Sequence, residues 1–307
     1  MRPSRMPCAA RAVALFALLC SAGALAGPPT AGFGPEDILG FARRLARGGE
    51  YFRAHTELSR LNSYYPGYID PGVLRVSELF LLYGGGRYES VLNAGLPESG
   101  PGRCAAAVLS ADSAMALGDY ERALKISRIS PDAPCGPFLG GALCRRAFMS
   151  LVLLGQTDEA AGLPPPEAEE PGGGFDPDAH AKLLDYARAG FSDLRSPRAA
   201  LALGAVPGLG YAYAGNLQNG VIAFIVVGVF SALTYFSFRT DNAPLGIVFG
   251  ATAAVFYGGG MVGAYREALR YNGSIRERIR ETVYDEFRPD ADRDEIFRRY
   301  GIGYGGY

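Results

Sequence analysis

The arrangement of apolar and polar positions changes three times along this chain, and each regime predicts a different kind of element. From Pro35 the apolar residues fall at helical spacing. Ile38, Phe41, Ala42 and Leu45 form one stripe, closed by Gly48-Gly49, and Tyr51, Ala54, Leu58 and Leu61 form a second, closed by Tyr65-Pro66. Two short amphipathic helices joined by a tight glycine turn make a helical hairpin. The same punctuation returns at Gly86-Arg87-Tyr88, at Leu117-Gly118-Asp119-Tyr120 with Ala123, and at Leu154-Gly155 with Ala160. The turn glycines Gly49, Gly86, Gly118 and Gly155 lie 37, 32 and 37 residues apart, a period that signals stacked helical hairpins. The predicted repeat domain covers residues 35–163.

Over residues 164–177 the periodicity stops. Clustered prolines, acidic residues and glycines there predict a linker. Asp176 and Asp178 match no calcium-loop spacing and read as a solvated turn. A connecting helix over residues 178–195 follows, with Leu183, Leu184, Tyr186 and Ala187 apolar, and it is expected to end near Gly190.

The third regime, residues 196–265, is almost uncharged. Its two long runs, Gly220–Phe238 and Ala243–Tyr265, each approach the roughly 20 apolar residues that a helix needs to cross a bilayer core. Ser196-Pro197 supplies a helix start, with Ser as cap and Pro in the first turn. The segment after it carries Pro207, Gly208, Gly210, Tyr213 and Gly215. A proline beside two glycines breaks a helix, so this segment is expected to be broken or re-entrant and covered by protein. Past Tyr265 a polar tail, residues 266–307, places Ile275, Ile279, Val283 and Phe287 at every fourth position among arginines. Such a narrow stripe suits a membrane surface, a partner helix, or a solvent-exposed helix docked on its own protein. The terminal YGIGYGGY is expected to be flexible.

Composition adds an address. Residues 1–26 combine a positive start, an apolar core and the small-x-small site Ala24-Leu25-Ala26, which together predict a signal peptide cleaved before Gly27. Cleavage removes Cys8 and Cys20 and leaves Cys104, Cys135 and Cys144 in an oxidising compartment, where at most one internal pair forms. The net charge of −1 offers no concentrated basic patch for nucleic acid. Trp is absent, so an aromatic belt falls to tyrosines such as Tyr211, Tyr213 and Tyr257. His55 and His180 complete no metal site and no nucleophile motif, so neither a cofactor nor an enzymatic activity is expected.

The run Leu117–Leu124, LGDYERAL, resembles the inter-helix turn of a tetratricopeptide repeat. The glycine makes the turn, the aromatic packs across it and the small Ala123 lets the helices approach. The second unit departs by having Val91 at the small position, and the fourth by having Thr157 at the aromatic one. The resemblance implies a solenoid whose first helices line a concave face for a peptide or protein partner. Carried over by repeat position, that face comprises Arg43, Arg47, Phe80, Tyr83, Asp112, Met115, Arg145 and Met149. Phe80 and the methionines suit a core equally well. Farther along, PG-x-G-x-x-Y-x-G, Phe256-Tyr257-Gly258-Gly259 and Arg270-Tyr271-Asn272 are similar to the short membrane module of a group of largely uncharacterised bacterial envelope proteins.

The expected molecule is therefore all-α: a signal peptide, a tetratricopeptide-like solenoid, a small transmembrane helical module and an amphipathic tail. The readings of its role are an inner-membrane scaffold or adaptor with its soluble domain on the periplasmic side, and a membrane-assembly or channel-like subunit worked by Pro207–Gly215. The expected partners are a protein and the lipid bilayer, with a second copy met through the small-residue spacings Gly246/Gly250 and Gly259/Gly263. Arginines at 266, 270, 276, 278 and 280 favour three crossings and a cytoplasmic tail, under the positive-inside bias.

Overall fold

The computed structural model describes residues 34–97, 101–128, 135–163 and 177–303. The signal peptide, most of the linker and the last four residues lie outside the described residues. Where described, the chain is helix and connecting turn throughout, and it divides into two compact units that meet between Pro71 and Gly72. That division falls after the first hairpin, inside the stretch that the periodicity reads as one repeat domain.

The amino-terminal unit is the hairpin of α1 (Pro35–Arg47) and α2 (Tyr51–Tyr64). Ile38, Ala42, Leu45, Ala54, Leu58 and Leu61 are buried as their spacing predicts. Phe41 stays half-buried beneath the Arg44 guanidinium, 5.8 Å from the ring centre.

The second unit opens with three more hairpins. They are α3 (Pro71–Gly84) with α4 (Tyr88–Asn93), α5 (Pro101–Ala116) with α6 (Tyr120–Ser127), and α7 (Pro137–Leu154) with α8 (Thr157–Ala161). All four turn glycines adopt positive φ, from 71° to 81°. At each turn the next residue's N–H donates to the carbonyl five positions back: Glu50 to Leu45, Arg87 to Leu82, Asp119 to Ala114 and Gln156 to Leu151, each at 2.9 Å. This is the Schellman closure, in which a residue without Cβ takes the left-handed position. The fifth residue past each glycine, Ala54, Val91, Ala123 or Ala160, is at most 2 % exposed. Val91 thus fits a position where the resemblance implies alanine.

Cys104 of α5 and Cys135, just before α7, form a disulfide that closes a separation of 31 residues. Closing a loop of that length contributes about 3–4 kcal/mol by chain entropy. Cys144 remains a thiol, and burial pushes it above its ordinary range.

Then come α9 (Pro177–Ser192), the short pair α10 (Pro197–Leu203) and α11 (Leu209–Tyr213), α12 (Leu217–Arg239), α13 (Ala243–Phe287) and α14 (Pro289–Tyr300). α9 ends at Ser192, near Gly190 as expected. Gly190 itself sits where α9 meets α13, and a Cβ there would stand 2.9 Å from Ile279 Cδ1. The expected break of the Pro207 segment is present, with α10 and α11 only 7 and 5 residues long.

Among the described residues three helices, α7, α12 and α13, are long and apolar enough to cross a membrane. They differ in what covers them: 56 % of the apolar window of α7 is buried inside the protein, against 11 % for α12 and α13. Thus α7 is a core helix of the hairpin domain, whereas α12 and the first half of α13 present Val221, Phe224, Ile225, Ile247, Val248 and Val255 to the outside. This is a membrane protein built on a two-helix hairpin. The 23 residues of α12 extend about 35 Å, enough for the hydrocarbon core.

No break separates the second span from the tail, because α13 runs for 45 residues without interruption. Its outer half buries Ile275, Ile279 and Val283 in the same cluster as Met115, Met149, Leu183 and Ala187. The tail stripe is thus a contact with the chain's own hairpin domain, each side chain contributing on the order of 1.5–3 kcal/mol. Three crossings would put the tail on the side opposite the hairpins, an arrangement that this packing does not fit. α10 and α11, at 7 and 5 residues, are each too short to span a bilayer core.

Candidate functional site

The face expected to receive a partner already holds a helix, and that helix is the chain's own carboxy-terminal α14. At Arg288 the backbone turns left-handed, with φ 39° and ψ 59°, and Pro289 starts α14 in a new direction. Asp290 and Asp292 stand in its first turn and Arg298 and Arg299 in its last, the order that complements a helix dipole.

Beneath its first turn lies a buried cluster of charges. Arg146 of α7, 1 % exposed, spreads its guanidinium flat against Asp112 of α5: Nε donates to Oδ1 at 3.0 Å and Nη2 to Oδ2 at 3.1 Å. Two more donors of Arg146 reach α14, from Nη2 to the Pro289 carbonyl at 3.1 Å and from Nη1 to Asp292 Oδ2. Arg145 Nη2 donates to the other oxygen of Asp292 at 2.8 Å, and Arg293 Nη1 donates to Asp112 Oδ2 at 3.2 Å. The buried Asp112 and the partly buried Asp292 therefore each meet two arginines, the arrangement that makes burial of such charges tolerable. The Arg293 guanidinium also lies over the Tyr83 ring, 4.5 Å from its centre. Burial, against the opposing charge of Arg293, pushes the Tyr83 phenol up to about 12.

The far end of α14 is held by apolar contact and one backbone bond. Phe297, fully buried, stacks on Phe80 with ring centres 4.0 Å apart and planes 12° from parallel. The guanidinium of Arg299 lies over the Phe138 ring at 4.9 Å. Past the helix, the N–H of Ile302 donates to the Ser77 hydroxyl at 2.8 Å. Ile302 is buried, so the part of the glycine-rich end up to Gly303 is a docked segment rather than a loose one.

Of the eight residues assigned to a concave face, Phe80, Tyr83, Asp112 and Arg145 contact α14 directly. Met115 and Met149 lie in the hydrophobic core cluster beside it. Arg43, half-buried, and Arg47, exposed, belong to α1 in the amino-terminal unit. Sequence reasoning missed Arg146, Ser77 and the whole of α14. The sequence PDADRDEIFRRY carries only two large aliphatic or phenylalanine side chains, Ile296 and Phe297, and so shows no periodic stripe. Its one usable signal is the neighbouring acidic and basic residues, which by pattern alone do not distinguish a solvated face from a paired one.

The Pro207–Gly215 motif forms a second constellation at the base of the membrane hairpin. Gly208, at φ 86°, leaves no room for a Cβ against the Gly220 carbonyl. Gly210 faces the Ala200 carbonyl, and its Cβ would stand 2.7 Å from that of Ala264. The ring of Tyr211 fills the space over Gly263, and the Tyr257 hydroxyl donates to the Ala205 carbonyl at 3.0 Å. Around Tyr213 the polar groups close a ring. Its hydroxyl accepts from Ser196 N–H at 3.1 Å, and its carbonyl accepts from Arg195. Arg195 in turn lies 4.2 Å over the Tyr271 ring, and its backbone N–H and carbonyl both bond the Asn272 amide at 2.8 Å. Asn216 donates to Glu267 at 3.1 Å. Pro207-to-Gly215 and Arg270-Tyr271-Asn272 are thus two halves of one collar. It clamps the linker after α9 to α13 where the helix leaves its apolar stretch.

Small-residue spacings in the spans are largely spent inside the chain. Gly246 packs on Phe238, Gly250 on Thr234 and Gly263 on Tyr211, while Gly258, Gly259 and Gly260 face open space. Gly259 and Gly260 floor an outward groove of about 480 Å³, with Tyr211, Asn219, Ile222 and Phe256 on its walls.

No family model, curated protein or solved structure matches this chain.

Proposed function

We propose that this protein is a membrane-anchored scaffold of a bacterial cell envelope that binds a protein partner through its helical-hairpin domain. One observation carries the reading: the hairpins present a groove with a helix seated in it. That groove is mounted, through the single helix α13 and the collar, on a two-helix membrane anchor. A groove that accommodates a helix by charge pairing and aromatic stacking is equipped for protein recognition. The resemblance to tetratricopeptide repeats points the same way. The disulfide between Cys104 and Cys135 and the signal-peptide pattern support an exported location for the domain, on the periplasmic side of the inner membrane. In that arrangement signal-peptide export, rather than the positive-inside bias, sets the side of the tail.

The second reading, a membrane-assembly subunit worked by Pro207–Gly215, draws support from the apolar groove beside Tyr211 and Asn219, which opens outward from the spans. One experiment separates the two. Photo-crosslinkers are placed singly at Tyr83 and at Ile222 of the full-length protein in native membranes. The scaffold reading expects a discrete protein adduct from Tyr83 and lipid adducts from Ile222. A discrete membrane-protein adduct from Ile222, with none from Tyr83, overturns it in favour of the second reading.

A further inference from the structure

We infer that the groove of α3, α5 and α7 is a sequence-selective site for a helix bearing Asp-Arg-x-x-x-Phe, and that the tail occupies it as a displaceable internal copy of the partner. This deepens the scaffold reading and rests on it. With α14 removed, four unmet requirements remain on the groove. Arg145 and Arg146 both lose Asp292, so the entering segment must bring a carboxylate at that point. Asp112 loses the donor from Arg293, and Tyr83 loses a cation from its face, so the next residue must be an arginine. Phe80 loses its stacked ring, which requires an aromatic one helical turn on. Ser77 loses a backbone donor, so the segment must end its helix there and offer an N–H.

A helix without that carboxylate leaves Arg146 short of a partner in a site that the seated helix almost closes to water. Surface helices without the acidic and aromatic pair are excluded on that ground. The hinge is local to Arg288, a non-glycine residue in the left-handed region, so α14 can leave while α13 stays packed through Ile275, Ile279 and Val283. The occupant is thus a protein helix of this pattern, and the bilayer is not a competitor, since α14 buries its only large apolar residues in the groove.

The test uses a fluorescent peptide of residues 288–303 and two full-length receptors in detergent. One receptor carries Asp292→Asn with Phe297→Ala, which weakens the internal helix. The other has a protease site inserted after Arg288 and is cut before use. The peptide is expected to bind both receptors at least about tenfold more tightly than uncut wild type, since loss of one buried charge partner and one aromatic anchor exceeds a tenfold effect. Peptides with Asp292→Asn or Phe297→Ala should lose about tenfold or more of that binding. Absence of uptake by both receptors, with helicity and the Cys104–Cys135 bond retained, overturns the inference. Equal binding of the native and altered peptides overturns it as well. If the peptide exchanges as expected but Tyr83 yields no adduct in membranes, the scaffold reading fails and the site itself stands.

Discussion

At the residue scale the decisive group is Arg146, a guanidinium enclosed by the protein yet satisfied on every side. Taking a charge out of water costs several kcal/mol, and here Asp112, Asp292 and two backbone carbonyls offset it. The cost of breaking the set therefore exceeds the value of any single bond. Arg146→Met leaves Asp112 buried with only Arg293 beside it and is expected to destabilise the protein by about 3–5 kcal/mol. Adding Asp112→Leu removes the stranded carboxylate and should recover a large part of that loss. Urea unfolding followed by circular dichroism in detergent reads both, and a single variant within about 1 kcal/mol of wild type would show the cluster to be solvated.

At the element scale the glycines separate into two groups by what a side chain would meet. Gly208 and Gly210 lie against backbone carbonyls, which cannot rotate away, and Gly208 adds a left-handed φ. Gly228 and Gly259 face open space on straight helices. Gly210→Ala is expected to cost about 1–3 kcal/mol through overpacking, and Gly208→Ala more because strain adds to the clash. Gly228→Ala and Gly259→Ala should be neutral or gain up to about 1 kcal/mol, since alanine loses less entropy in a helix. Melting temperatures in one detergent rank the four. A Gly210→Ala protein as stable as Gly259→Ala would mean the collar is loose, and the motif would then need a role other than packing. The hairpin turns make the complementary point: one glycine conformation and one backbone bond recur four times, although the residues around them vary.

At the scale of the whole molecule, the continuity of α13 converts a packing fact into a topological one. The tail touches the hairpin domain, so insertion through α12 and α13 would put both on one side of the membrane and the α12–α13 turn on the other. In a Cys144→Ser background that keeps the disulfide, Glu121→Cys and Glu281→Cys are expected to react with an impermeant maleimide from the same face. Thr240→Cys should react only from the opposite face. Labelling of Glu121→Cys and Glu281→Cys from opposite faces would refute the paired arrangement.

What the sequence by itself determined is local. Glycine turns, the Ser196 cap, the stripes of α1 and α2 and the length of the two spans are set by interactions within a few residues, and periodicity and turn chemistry record those directly. The buried tail stripe was legible too, though not its destination. Tertiary structure alone decided which cysteines pair, where α14 docks and that the tail stripe packs on the hairpins. Those outcomes rest on contacts between residues far apart in sequence, such as Arg145 with Asp292 across 147 positions and Asp112 with Arg293 across 181. A charged residue has the same local pattern whether water or a buried partner satisfies it. Only the fold, by bringing Asp112, Arg146 and Asp292 together, seats this charged helix in the groove.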